Sequence, residues 1–510
     1  MKRKILALLL ILTLVFTFSG CKQDKDEIKD VNLITEKIIE KFAEMTEIPR
    51  TSFHEKEISD FLKNWAENLG YEVVQDEVNN IIVEVPATEG MEDKSLVVLQ
   101  GHMDMVFAQK DGLNLDPKTT KITMVNDGTY IRSDNNTSLG ADDGIGVAIM
   151  RLVAEGEMAH GPLRLIITTD EERSSTGVNN IDPMFVQDAK YMINLDDEIE
   201  GEIVISSASG NLGVFSGNND SLKPNGDMGV EVMLKGLTGG HSGDEIDKDR
   251  LNGIIAMGDI LDSLRKNGIN YQISSFNGGN APNAIPTGAT VTLSISQHDF
   301  ENLKTCINES IELLKNYYSE TDPDIMVEIK ECENPTSVIS DGNLNNIIKL
   351  TQNIINGVNS MSDIIEGLVE SSSNLGIIDV DTEKTSISAM LRSSSAEKEK
   401  EITESFKELA KECNFELEVE DMSMPWPAKE NNELQRIAEE SYKDLFGKEL
   451  EVLAIHAGLE CGTFSTYNED LNIIAMGPTV TDPHSINEKV EIDTIGKVWV
   501  LLEDILKRIE

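Results

Sequence analysis

Basic residues are scarce in this chain. Against 91 aspartates and glutamates stand 44 lysines and arginines, a formal charge of −47 at pH 7, which makes nucleic acid an unsuitable partner because phosphate binding needs clustered cations. The acidity reads as solubility, not as steering of a substrate. Cysteine is nearly absent too. After Cys21 come Cys306, Cys332, Cys413 and Cys461, with no zinc-ribbon or redox-pair spacing and far too few for a disulfide framework in 510 residues. Sequence does not fix whether any of the four pair. Aromatic residues make up 5% of the chain, and there is no internal repeat. The one long apolar run, Ile5–Phe18, has 14 residues, short of the roughly 17–25 that cross a bilayer as a helix. Histidine is limited to seven residues, so any place where histidine meets carboxylates is informative.

What is present begins at the N-terminus. Lys2, Arg3 and Lys4 precede the apolar run, and Ser19-Gly20 leads into Cys21, the pattern of a bacterial export signal. Phe-Ser-Gly-Cys resembles the lipobox of lipoproteins, with phenylalanine where leucine is more usual. The expectation is a signal peptide over 1–20, a lipidated Cys21 and a flexible tether over 21–31. More than one acyl chain would then hold the protein on the outer face of a bacterial cytoplasmic membrane, by the lipid anchor alone.

Helical periodicity is read over 32–45, 54–69, 144–155 and 431–445, and β-like stretches over 71–75 and 80–85. Ser95–Leu99, Leu163–Thr168, Tyr191–Leu195 and Leu471–Met476 are short apolar runs, as expected of strands buried on both faces. Alternating with helices, they predict an α/β fold with a mostly parallel sheet. Between about 208 and 420 the pattern changes to alternating strands such as Val230–Leu234, Ala289–Ile295, 325–329 and 385–391, with amphipathic helices at 246–266, 299–318 and 341–356. This predicts an inserted α+β lid domain over 208–420 inside a discontinuous catalytic domain, 32–207 plus 421–510.

Six clusters carry the chemistry: Gly-His-Met-Asp at 101–104, Ala-Asp-Asp-Gly at 141–144, Thr-Asp-Glu-Glu at 169–172, Asn-Leu-Asp at 194–196, Gly-Gly-His-Ser-Gly at 239–243 and Pro-His-Ser-Ile-Asn-Glu at 483–488. Taken singly, each has an ordinary explanation. Adjacent carboxylates arise by chance about 16 times in so acidic a chain, Asp142-Asp143 suits a helix N-terminus, and 170–172 suits a solvated acidic run. Position reverses that reading. Most of the clusters follow a buried strand, and in open α/β sheets the carboxyl ends of strands are where sites form. One zinc could be held by His102 and Asp196 and a second by Glu172 and His484, with Asp142 bridging. Asp104 could fix the tautomer of His102, and Glu171 could serve as general base. His241, in the lid, could donate to an oxyanion on closure, and Arg392, at a strand end, could clamp a substrate carboxylate.

These clusters resemble those of the two-zinc peptidases that include aminoacylase, carboxypeptidase G and the bacterial di- and tripeptidases. Within that superfamily the chain is most similar to the aminoacyl-histidine dipeptidases (peptidase D, cytosol non-specific dipeptidase). The residues that narrow it are 100–105, 138–146, 235–243, Asn283-Ala-Ile-Pro, Ile455-His-Ala-Gly-Leu-Glu-Cys-Gly and Gly477-Pro-Thr. The similarity covers nearly everything from about residue 32 onward. It implies two Zn2+ per chain, replaceable by Mn2+ or Co2+, on His102, Asp142, Glu172, Asp196 and His484. It also implies catalytic roles for Glu171, Asp104 and His241, and substrate contacts at Asn283, Arg392, His456 and Glu460. The implied reaction is hydrolysis of unblocked dipeptides, often with histidine second, and the implied assembly a homodimer through the lid domain. Two departures stand out: Pro282 replaces a usual basic residue, and Asn194-Leu-Asp-Asp replaces Asn-Thr-Asp-Ser. Rival readings are a tripeptidase or aminoacylase of the same superfamily, and a non-catalytic solute-binding lipoprotein.

Overall fold

The computed structural model describes residues 25–510 except 364 and 366. The four apolar runs form neighbouring strands at the centre of an eight-stranded sheet. Its order is Glu72–Gln75, Ile81–Val85, Leu163–Thr168, Val97–His102, Tyr191–Asn194, Asn472–Ala475, Glu202–Ser207, Glu451–Ile455. Leu163–Thr168, Val97–His102, Tyr191–Asn194 and Asn472–Ala475 pair parallel; Ile81–Val85 and Glu202–Ser207 join this block antiparallel, and the edge strands Glu72–Gln75 and Glu451–Ile455 pair antiparallel and parallel with them respectively. Both faces are covered, as continuous apolar strands require. Val97, Leu99, Leu165, Ile167 and Ile193 pack with residues of the helices Lys25–Thr46, Ala141–Leu152, Glu433–Phe446 and Ile492–Arg508. Their sequence neighbours Val98, Ile166 and Met192 point the other way, onto Val178, Val186 and Phe464. The period of two thus divides each strand between two cores.

A second sheet, antiparallel throughout, takes its strands from Ser209–Asn218 to Glu416–Ser423, which runs past position 420. The helices Gly253–Lys266, Phe300–Tyr317, Asp341–Asn353 and Ala396–Glu412 share a core with it. The helix expected from 246 begins later. Ile246–Lys248 forms a separate 3-10 turn, and the Asn252 side chain caps the α-helix by accepting from the N–H of Ile254 at 3.0 Å and of Ile255 at 3.3 Å. A cap of this type fixes where the helix starts.

The N-terminal expectation needs correction. Residues 25–31, read as part of a tether, are the opening turns of Lys25–Thr46, whose buried Ile38, Phe42 and Met45 dock it on the first core. Charge alone does not make a segment flexible when an apolar stripe follows in register. The expected signal segment and Cys21 lie outside the described residues. Cys306, Cys332, Cys413 and Cys461 are free thiols.

Candidate metal centre

The carboxyl ends of the parallel strands build the site. His102 is the last residue of Val97–His102, Asp196 follows Tyr191–Asn194 by two residues, and His484 lies in the loop beyond Asn472–Ala475. Glu171 and Glu172 open the short helix Glu171–Ser174 after Leu163–Thr168. Asp142 stands at the start of Ala141–Leu152 in a non-helical conformation, and its peptide bond to Asp143 is cis.

Asp142 faces two imidazoles. Its Oδ1 lies 3.1 Å from His102 Nε2 and its Oδ2 3.0 Å from His484 Nε2. His102 Nε2 is also 3.3 Å from Asp196 Oδ1, and His484 Nε2 is 2.8 Å from Glu172 Oε2. Two donor triplets result, His102–Asp142–Asp196 and Asp142–Glu172–His484, each with its ligand atoms within 4.8 Å of one another. These are the five residues and the shared carboxylate expected from the sequence.

The donor set fits a pair of metal ions on its chemistry. Burial pushes Asp196 and Glu172 above the ordinary carboxylate range, with Asp142 repelling both. Hydrogen bonds to Asp142 and Glu172 push His484 up to about 11. Burial opposes a charged His102, yet Asp196, Asp104 and Asp142 hold it well above the usual histidine value. So concentrated a negative field, with Glu172 Oε1 buried and without a hydrogen-bond partner, is suited to divalent cations.

Asp104 is fully buried. Its Oδ1 lies 3.4 Å from His102 Nδ1 without the alignment of a hydrogen bond. The same carboxylate accepts from Ser52 Oγ at 2.8 Å and from the N–H groups of Glu171 at 3.1 Å and Glu172 at 3.4 Å. It therefore lies between the His102 ring and the start of the helix that carries Glu171. Sequence reading gave no sign of Ser52.

A cleft of about 320 Å3 opens beside the donors, lined by Glu171 and Glu172, by Asn283 and Arg392 from the antiparallel-sheet region, and by Gly458 and Leu459. Arg392 is buried, its Nε has no hydrogen-bond partner, and among the described residues it forms no ion pair. Asn374 secures the neighbouring loop by donating to the carbonyls of Pro282 at 3.0 Å and Ala284 at 2.8 Å. The position that departs from the family pattern is thus held by its backbone.

The remaining expected residues lie further off. His241 pairs with Ala284, and its Nδ1 is 3.0 Å from Asp244 Oδ2; it forms no hydrogen bond or ion pair with the five donor residues. Gly243 sits between the His456 carbonyl and the His241 ring, where a Cβ would come within 2.8 and 2.9 Å of them. His456 is bonded to Ser372 Oγ at 2.7 Å, and burial together with Arg392 lowers it to about 4. Glu460 is not on the cleft wall. It is buried behind the strand ends, accepting from Thr168 Oγ1 at 2.6 Å and Gln100 Nε2 at 2.5 Å, and burial raises it to about 7.

The chain is similar to known proteins over most of its length. The profile described as peptidase family M20/M25/M40 matches residues 98–508. The cytosol non-specific dipeptidase of Escherichia coli (strain K12) is 32% identical over 92% of this chain and 96% of its own. The crystal structure of aminoacylhistidine dipeptidase from Vibrio alginolyticus superposes with a TM-score of 0.85 at 31% identity, covering 93% of this chain and 96% of that one. Aminopeptidase PepT from Bacillus cereus, at 18% identity and a TM-score of 0.53 over 93% of this chain and 98% of its own, shares the fold. One expectation falls here. A relative matching nearly the whole chain is named for the cytosol, so the exported, lipid-anchored location does not stand. Among the described residues no helix is long and apolar enough to cross a membrane.

Proposed function

We propose a reaction from one premise: the chain belongs to peptidase family M20/M25/M40. It is a metal-dependent hydrolase, and its reaction is cleavage of the peptide bond of unblocked dipeptides, of the Xaa-His type or broader. The observation that carries this reading is the pair of donor triplets sharing Asp142, set beside Glu171 on the cleft that Arg392 lines. Zinc is the proposed metal. His102, Asp142, Asp196, Glu172 and His484 would hold it, imidazole nitrogen and carboxylate oxygen being donors that suit zinc; Mn2+ or Co2+ could replace it. When bound, such a pair of ions supplies an acidified water and a polarised peptide carbonyl.

The side chains do the rest. Glu171 removes a proton from the attacking water and delivers it to the leaving amine nitrogen. Its backbone N–H is bonded to Asp104, which supports a fixed position for that transfer. Arg392 meets the free carboxylate of the substrate with charge-assisted hydrogen bonds, and Asn283 lies on the same wall. Residues 208–420 act as a lid, and its closure would bring His241, held at Nδ1 by Asp244, to the developing oxyanion. A homodimer through the lid is supported by exposed Leu313, Tyr317 and Met326 on that region, and sedimentation equilibrium tests it.

Metal content together with a panel of free and N-acylated di- and tripeptides tests the reaction. Cleavage confined to free dipeptides is the expected result. Preference for tripeptides or acylated amino acids would move the assignment to another member of the superfamily. Metal-free protein that binds peptides without cutting them would overturn it.

A further inference from the structure

Two buried charged residues underlie the metal centre, their hydrogen bonds going to backbone atoms and not to a donor side chain. Arg50 and Glu488 are each 2% exposed. Arg50 donates through Nη1 to the carbonyls of Met103 and Asp104, both at 2.9 Å, and through Nη2 to the carbonyl of Gly140. Glu488 accepts at Oε2 from the N–H groups of Leu139 at 2.7 Å and Gly140 at 2.9 Å, and at Oε1 from that of Ala141 at 2.6 Å.

Their targets are informative. Residues 139–141 form the turn that leads into Asp142, and Gly140 there has φ of 74°, with Arg50 and Met105 packed where a Cβ would stand. Met103 and Asp104 directly follow His102. Glu488 closes the loop that carries His484. Segments separated by hundreds of residues are therefore tied through two side chains, one donating to the turn's carbonyl side and the other accepting from its N–H side. Charge-assisted bonds to fixed backbone atoms are strong and directional, and a buried charge that lost them would be left uncompensated.

We propose that Arg50 and Glu488 are positioning residues that set Asp142 midway between the two ion sites. Each oxygen of Asp142 faces a different imidazole, so displacing the turn disturbs both triplets at once. Loss of either brace then weakens both ions together, unlike loss of a donor that serves one triplet. Residues that orient metal ligands from behind typically change affinity by about 10–100-fold.

This rests on the dinuclear reading, and the test separates the two. Metal-stripped full-length protein is titrated with Zn2+ against a chromophoric chelator, comparing the parent with Glu488→Gln, Arg50→Lys and Glu172→Gln, while circular dichroism follows the melting of each metal-free variant. The parent is expected to take two ions. Glu488→Gln and Arg50→Lys should weaken both steps by about 10–100-fold, and Glu172→Gln should weaken one step selectively. A parent that takes fewer than two ions overturns the dinuclear reading and this inference with it. A parent that takes two, with both constants within about twofold in the brace variants or with one step alone weakened, overturns the inference and leaves the dinuclear reading standing. Lowered melting with unchanged constants would likewise reduce the braces to fold stabilisers. Should Glu488→Gln fail to fold, Arg50→Lys, which keeps its charge, makes the same comparison.

Discussion

At the scale of single residues, the neighbours Glu171 and Glu172 stand in different surroundings, which the proposed reaction assigns to different roles. Both line the cleft, but Glu172 faces His484 at 2.8 Å whereas Glu171 belongs to neither donor triplet. Glu171→Ala should retain both ions, read by metal analysis, and lose turnover by about 10²–10⁴-fold; near-normal turnover would remove it from the role of base. Arg392 presents a buried guanidinium to the cleft, and among the described residues it forms no ion pair with a carboxylate. Arg392→Ala should raise KM for free dipeptides by about 10–100-fold, the value of a hydrogen bond to a charged group, and leave dipeptide amides nearly unaffected. Equal losses on both substrates would exclude carboxylate recognition. His456 titrates at about 4 in the fold because burial and Arg392 oppose its charged form. Its contribution to stability is complete above about 6.5, the unfolded value, and is lost as pH falls toward 4. Chemical denaturation should therefore show stability dropping through that window with a His456-dependent slope of at most about 1.4 kcal/mol per pH unit, and His456→Gln should remove that slope.

At the scale of elements, the local pattern was readable where one period dominated. The four central strands could be recognised because they are apolar on both faces, and the donors could be placed because each strand end feeds a polar loop. Register and boundaries were less accessible. The helix thought to begin at 246 starts at Gly253, because Asn252 supplies the cap; Asn252→Ala should cost about 1 kcal/mol, measured by denaturant unfolding, and no loss would mean that the cap is replaced by solvent. Arg50 had no signature in the sequence, and Glu488, though it ends the cluster at 483–488, had no role that the cluster could reveal. Their partners are backbone atoms, which every residue possesses, so only the folded chain could pair them. For Glu460 the motif marked the position but not the direction of its side chain, which turns to Thr168 and Gln100.

At the scale of the molecule, the parallel strands at the centre of the first sheet carry most of the donors on one rim, and the antiparallel sheet brings Asn283 and Arg392 to the same cleft. Neither region alone holds both the metal donors and the proposed carboxylate clamp. The sequence could foresee this division from its change of periodicity near 208, but the distance between donors more than 380 positions apart, His102 and His484, was beyond any local pattern. The exported, lipid-anchored location was read from the N-terminal pattern in spite of the family resemblance, and it does not stand beside a near-full-length relative named for the cytosol. The central claim is a dinuclear centre bridged by Asp142. Anomalous diffraction from crystals of the zinc-loaded protein, recorded above and below the zinc edge, measures this most directly. Two peaks flanking the Asp142 carboxylate are predicted, one against His102 and Asp196 and the other against Glu172 and His484; a single peak, or two that do not share Asp142, would contradict the account.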